Sequence, residues 1–143
     1  MRPACPGAAG AETLLRTRHA GTRVLLAEDE PINCEVLTTL LEEAGCRVDT
    51  AANGAEAVAA AQASVYDVIL MDMQMPQVSG TEATRRIRAD SRNRHTFIIA
   101  ITANAFEDDQ LACRAAGMDI HLPKPILPQA LFEAVLGAVQ RRG

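Results

Sequence analysis

Apolar residues gather in short blocks along this chain, and the blocks are of two kinds. One kind is a continuous run: Val24-Leu25-Leu26-Ala27, Val68-Ile69-Leu70-Met71 and Phe97-Ile98-Ile99-Ala100-Ile101. Such runs are too short for a helix face and suit strands buried on both sides, as in a parallel sheet. Cys46 to Ala51, alternating around Val48, and Asp119-Ile120-His121-Leu122 add two shorter strands. The other kind recurs at helical spacing. Val36, Leu37, Leu40 and Leu41 do so between Pro31 and Gly45, and an Ala-rich stretch follows Asn53 to about Ala63. Three more helices are predicted: one through Ala83 and Ile87 to about Asp90, one over about Glu107–Ala116, and one from about Pro128 to Gln140. The last carries Leu131, Phe132, Val135, Leu136 and Val139 as its stripe. Pro31 suits a first helical turn, and Asn53 and either Ser79 or Thr81 suit N-caps.

Strand and helix alternate five times. Right-handed crossovers then leave a doubly wound parallel α/β sheet with helices on both faces. Five strands fit the flavodoxin-like (βα)5 order 2-1-3-4-5, in which the first and third strands are neighbours. Glu28 and Asp29 follow the first strand and Asp72 follows the third. All three are therefore expected at one rim, outside the carboxyl ends, where open α/β sheets place ligands. Residues 1–21, with Pro3, Pro6, Gly7, Gly10 and Gly21, read as a tail or linker with room for a helical turn or two between Ala11 and Arg18. Residues 22–143 form the domain.

Composition narrows the function classes. The chain has 143 residues and a net charge of −4, and it lacks a basic block long enough to follow a phosphate backbone, which disfavours direct nucleic-acid binding. No apolar run approaches the roughly 18 residues of a membrane span, and the N-terminus lacks the roughly 7–15-residue apolar stretch of a secretory signal. Cys5, Cys34, Cys46 and Cys113 are scattered without paired spacing, which fits a reduced, cytoplasmic setting and no zinc or disulfide framework. The last three read as small packing residues. Arg85, Arg86 and Arg88 lie at a helix C-terminal end, where a solvated cationic face suits the dipole.

The expected rim has a definite chemistry. At about 4 Å and an effective dielectric of about 20, each pair of like charges costs about 4 kcal/mol, so a proton or a cation must relieve the cluster. An all-oxygen site on loops with room for water suits Mg2+. Thr102 and Lys124 end the fourth and fifth strands, bringing a hydroxyl and an ammonium that can meet phosphoryl oxygens. A carboxylate nucleophile, a divalent ion and two electropositive donors describe phosphoryl transfer to an aspartate.

In these motifs the chain resembles the receiver domain of two-component response regulators. The resemblance is carried by Val24-Leu25-Leu26-Ala27-Glu28-Asp29, by Ile69-Leu70-Met71-Asp72-Met73-Gln74-Met75-Pro76 with Gly80, by Ala100-Ile101-Thr102-Ala103-Asn104, and by Leu122-Pro123-Lys124-Pro125. It spans about residues 22–141 and implies that Asp72 accepts a phosphoryl group from a phosphohistidine, with a histidine kinase or a histidine phosphotransfer domain as partner. It further implies that Asp29, Asp72 and the Gln74 backbone carbonyl bind Mg2+, with Glu28 acting mainly through water. Thr102 would hydrogen-bond the phosphoryl group, Lys124 would pair with it, and Lys124-Pro125 would be a cis peptide. Gln74 and Asn104 would tune hydrolysis of the acyl phosphate. Such a domain catalyses its own phosphorylation and dephosphorylation and is otherwise not an enzyme. The family's usual place for dimers and targets is the face made by the helix near 107–116, the strand near 119–122 and the last helix.

One position departs from the family. The switch residue three places before the lysine is usually Tyr or Phe, and here it is His121. The expectation is that His121 turns inward when Asp72 is phosphorylated, against the plainer reading of a strand-end His half in solvent. Glu28-Asp29-Glu30-Pro31-Ile32-Asn33, Met73-Gln74-Met75-Pro76 and Glu82-Ala83-Thr84-Arg85-Arg86-Ile87-Arg88 resemble receivers of hybrid sensor kinases. A part of such a kinase and a single-domain regulator are the two forms this allows. Three rivals remain. An aspartate-nucleophile phosphatase or phosphotransferase wants an acid two residues after the nucleophile, where Gln74 stands. A flavin or nucleotide domain wants a Gly-rich loop where Glu28-Asp29-Glu30 would repel phosphate. A structural adaptor would show no Mg2+ dependence.

Overall fold

The computed structural model describes residues 8–73, 75, 78–102 and 107–142. The elements are α1 (Ala8–Arg18), β1 (Arg23–Ala27), α2 (Pro31–Glu43), β2 (Arg47–Ala51), α3 (Gly54–Ala63) and β3 (Val68–Asp72). They continue with α4 (Gly80–Ala89), β4 (Phe97–Thr102), α5 (Glu107–Ala116), β5 (Ile120–Pro123) and α6 (Pro128–Arg142). The five strands form one parallel sheet in the order β2-β1-β3-β4-β5. Ala27 pairs with Met71, Asp72 with Ile101 and Thr102 with Pro123, so four strand ends come level at one rim.

The apolar runs read as strands because both of their faces are covered. Val24, Leu26, Val68, Leu70, Ile99, Ile101 and Leu122 pack with α2 and α6 on one side. Leu25, Ala27, Ile69, Met71, Ile98 and Ala100 pack with α3, α4 and α5 on the other. Caps fix where the helices begin. The Asn53 Oδ1 accepts from Glu56 N at 2.8 Å, and the Glu56 carboxylate in turn accepts from Ala52 N. Ser79, not Thr81, caps α4, accepting from Glu82 N at 3.3 Å.

Three expectations need correction. Part of the segment read as tail or linker, residues 8–18, is an 11-residue helix whose Ala11 and Leu15 are buried in the α2–α6 side of the core. Arg88 is not part of a solvated face. Its guanidinium donates to the carbonyls of Gly117, Arg94 and Thr96 and pairs with Asp119 at 2.9 Å, tying together the ends of α4 and α5 and the start of β4. Val36 leaves the buried stripe of α2, which is held by Leu37 and Leu41, and stands 52 % exposed. Cys46 and Cys113 are buried and Cys34 is half-buried, none of the three in a disulfide, while Cys5 lies outside the described residues.

Two glycines differ in a way that bears on the rim. A Cβ at Gly80 would collide with the Asp72 carbonyl, whereas one at Gly137 would meet nothing within 4 Å. Gly80→Ala is expected to cost about 1–3 kcal/mol, because the colliding atom is backbone. Gly137→Ala, inside α6, is expected to stabilise by up to about 1 kcal/mol. Thermal unfolding of both variants beside wild type checks the pair, and equal midpoints would contradict the close approach at Gly80.

Candidate functional site

The rim is assembled from backbone upward. β1 ends at Ala27, and the chain turns at once through Glu28 and Asp29 because Pro31 opens α2. β3, buried along its whole length, delivers Asp72 beside them. One carboxylate oxygen from each of Glu28, Asp29 and Asp72 lies within 4.8 Å of the others. Glu28 and Asp72 are buried and Asp29 is exposed. Lys124 arrives from the end of β5, its Nζ 3.0 Å from Asp72 Oδ2 and 3.9 Å from Glu28 Oε1. The Lys124 backbone N–H donates to the Thr102 carbonyl at 2.8 Å, which fixes the loop against β4, and Thr102 itself is buried. Lys124-Pro125 is cis.

Charge is unbalanced here. Three carboxylates face one ammonium, and a divalent cation would bring the formal sum to zero. Glu28 shows the strain most clearly. Burial first, and then the neighbouring Asp72 carboxyl, push its pKa up to about 7, against the pull of the Glu30 N–H that its other oxygen accepts at 3.1 Å. Its Oε1 has no hydrogen-bond partner among the described residues. Burial alone would lower the Lys124 ammonium, but the hydrogen bond and charge of Asp72, with Glu28 and Asp29 behind it, outweigh that and raise it. An orphaned, buried carboxylate oxygen in an all-oxygen cluster is what a hard cation such as Mg2+ completes. The residues present fit that ion.

The structure therefore brings Glu28, Asp29, Asp72, Thr102 and Lys124 to one rim. Gln74 and Asn104 lie outside the described residues. His121 is set apart, half-buried in β5, where it lines a shallow pocket of about 230 Å³ with Arg114, Met118, Asp119 and Ile120. One feature was missed from sequence. A cleft of about 440 Å³ opens beside the carboxylates, lined by Glu28, Asn33, Val36, Leu37, Lys124, Pro125 and Ile126. Next in sequence to its lining residues Asn33 and Ile126 stand Ile32 at 71 % and Leu127 at 65 % exposure. The signal was present: Ile32 and Val36 lie one helical turn apart, off the Leu37–Leu41 stripe.

Known proteins share this arrangement. A family model described as the response regulator receiver domain matches residues 24–136. Hybrid signal transduction histidine kinase L of Dictyostelium discoideum is 41 % identical over 119 residues, which take in 79 % of this chain. The match is 7 % of that protein, so the chain spans a small part of the relative's length. The receiver domain of sensor histidine kinase PA1611 from Pseudomonas aeruginosa PAO1, solved with magnesium in its active-site cleft, superimposes with a TM-score of 0.80. It is 40 % identical and covers 85 % of this chain and 99 % of that one. The receiver domain of Ssk1, solved with the histidine phosphotransfer protein Ypd1 of Saccharomyces cerevisiae, gives a TM-score of 0.79 at 26 % identity over 86 % of this chain and 92 % of that one. Full-length ShkA in complex with AMPPNP gives 0.71 at 43 % identity over 94 % of this chain and 27 % of that one.

The raised carboxyl sets a pH dependence. Glu28 must lose its proton to serve a cation, so apparent Mg2+ affinity should climb with pH up to about 7 and level off above it. The metal-free protein should run the other way. The folded carboxyl keeps a proton that the unfolded chain has already lost, so stability falls as pH rises from the ordinary value of 4.5 to about 7. Titration calorimetry should show affinity rising by up to about tenfold per pH unit below neutrality in wild type and a flat profile in Glu28→Gln. A wild-type profile as flat as the variant's would contradict the assignment.

Proposed function

The chain belongs to the response regulator receiver domain family, and on that premise we propose that Asp72 is its phosphoacceptor. The carrying observation is the meeting of the Glu28, Asp29 and Asp72 oxygens within 4.8 Å, with Lys124 Nζ 3.0 Å from Asp72. A receiver of two-component signalling takes its phosphoryl group from a phosphohistidine. The bond from an Asp72 carboxylate oxygen to phosphorus forms as the phosphorus–nitrogen bond breaks, and that electron pair leaves on the imidazole. Asp29 and Asp72, with Glu28 behind them and the Gln74 carbonyl as a further donor, are the residues that would hold Mg2+. When bound, that ion neutralises charge on the transferring group and shields the attacking carboxylate. Lys124 moves its hydrogen bond from Asp72 to the phosphoryl oxygens, and the Thr102 hydroxyl donates a second. Gln74 and Asn104 stand beside them in sequence and govern access of hydrolytic water.

The donor is a histidine kinase or a histidine phosphotransfer domain; the PA1611 receiver is itself a domain of a sensor histidine kinase, and the Ssk1 receiver was solved with a histidine phosphotransfer protein. Val36 in the cleft wall, with exposed Ile32 and Leu127 next in sequence to lining residues, supports docking of an apolar helix face that carries the phosphohistidine. The segment 22–143 is the phosphoacceptor unit. Its likeness to a hybrid kinase supports a place within such a kinase, with a single-domain regulator as the alternative form. Among the described residues no helix is long and apolar enough to cross a membrane. We place its work in the cytoplasm, where it catalyses its own phosphorylation and dephosphorylation. The face of α5, β5 and α6, with Ile120 39 % exposed on the edge strand, is the surface proposed for self-association. An aspartate-nucleophile phosphatase remains the second reading, supported by the same nucleophile and metal cluster.

Incubation with Mg2+ and phosphoramidate, followed by intact mass, should add one phosphoryl group to wild type and none to Asp72→Asn. Equal labelling of the two would remove Asp72 from its role, and turnover of an exogenous phosphomonoester would favour the phosphatase. His121 supplies the next test. On phosphorylation its ring is expected to move from the Arg114–Met118 pocket toward Thr102, changing the imidazole proton shifts in NMR spectra. Shifts that stay put in phosphorylated protein would make His121 a passive strand residue.

A further inference from the structure

The helix before the receiver fold is firmly seated. Leu15 is fully buried and Ala11 nearly so, in one apolar cluster with Leu37, Leu41 and Ala44 on the α2 side and Leu131, Phe132, Val135, Ala138 and Val139 on α6. Arg16 donates to the Glu43 carbonyl at 3.1 Å, and Gly21 N donates to the Gly45 carbonyl at 2.8 Å. The approach is close enough that a Cβ at Gly45, whose φ is +87°, would lie 3.4 Å from the Arg16 Cα. The family match begins only at residue 24, so this helix is an addition to the shared fold. A match over 94 % of the chain exceeds what residues 22–143 make up, so the likeness to full-length ShkA extends into the N-terminal segment.

The same apolar cluster reaches the reactive rim. Leu122 belongs to it and Ile126 packs against it, and these two residues flank Lys124. Lys124 Nζ lies 3.0 Å from Asp72 Oδ2. A phosphoryl group on Asp72 would remove charge from that carboxylate and offer new acceptor oxygens, so the Lys124 bond would be redrawn onto them. Close-packed interiors pass such displacements to their neighbours instead of absorbing them. We propose that the surface shared by α2 and α6 is a helix-docking site occupied by this chain's own α1, and that phosphorylation of Asp72 loosens that docking. The linkage rests on Asp72 being the phosphoacceptor. It makes α1 an output element of the domain: what happens at the rim is read at residues 8–18. Coupling between two sites is reciprocal, so loosening α1 must in turn favour the phosphorylated form.

Hydrogen exchange on the full chain, with Mg2+ and beryllofluoride standing in for the phosphoryl group, tests this. Amides of residues 8–18 are expected to exchange about fivefold or more faster in the beryllofluoride form, with no such change in Asp72→Asn. Leu15→Ala, and the milder Arg16→Ala should the first fail to fold, are expected to bind beryllofluoride more tightly than wild type. Beryllofluoride that binds wild type without altering α1 exchange overturns the linkage and leaves the phosphoacceptor reading intact. Beryllofluoride that does not bind wild type at all overturns both. Unprotected α1 amides in the free protein overturn the docking site itself.

Discussion

Three carboxylates held at the end of two adjacent parallel strands are the constraint around which this molecule is arranged. Nothing local favours the arrangement. Like charges within 4.8 Å repel, two of the three are buried, and the most burdened of them, Glu28, holds its proton to about neutral pH. The arrangement persists because β1 and β3 beneath it are locked by continuous burial on both faces and by parallel pairing up to Ala27 and Met71. Sheet and core impose a geometry that the rim would not adopt alone. Conflict of this kind between local preference and global fold is the usual mark of a functional site.

The surroundings make sense as supports for that geometry. Gly80 lets α4 begin against the Asp72 carbonyl, and its N–H is taken by the Met73 carbonyl at 3.0 Å, so the start of α4 is tied to the end of β3. Across the sheet, Asp119 accepts from Ile98 N and from Arg88 through one oxygen, which pins the start of β5 to β4. Lys124 lies five residues further on and inherits that placement. The ammonium is thus delivered by a strand whose own start is fixed by a half-buried arginine and three loop carbonyls. Loss of that arginine would be felt at the rim without touching it.

Much of this was legible in the residues. Strands buried on both faces leave unbroken apolar runs, so Val24–Ala27, Val68–Met71 and Phe97–Ile101 declared themselves, and the alternation with helices fixed the order in which their ends would meet. What stayed hidden depends on contacts distant in the chain. Ala11 and Leu15 show only one short i,i+4 pair amid Gly, Pro and Ala, and α1 gains its stability from α6, which lies more than a hundred residues away. Arg88 reads as a solvated charge because its partners are backbone carbonyls, which carry no residue signature. Val36 shares its helical spacing with Leu37, Leu40 and Leu41, and spacing alone does not say which of the four is left outside.

The chemistry of the leaving group decides between the readings that the cluster allows. A phosphomonoester leaves as an alkoxide, which needs a positioned acid to protonate it. The place two residues after Asp72 is Gln74, whose amide cannot act as that acid. Lys124, with its proton held more tightly than usual by Asp72, is a poor donor as well. A phosphohistidine leaves as imidazole, whose conjugate acid has a pKa of about 6.5, so it departs near neutral pH without an enzymic acid. Glu28 could lend a proton only while it is protonated, and binding a cation at the cluster removes that proton. A cation held at the cluster would thus withdraw the remaining acid from the rim while leaving the Asp72 carboxylate ionised. A site of this composition is suited to a phosphohistidine donor and ill suited to a phosphomonoester.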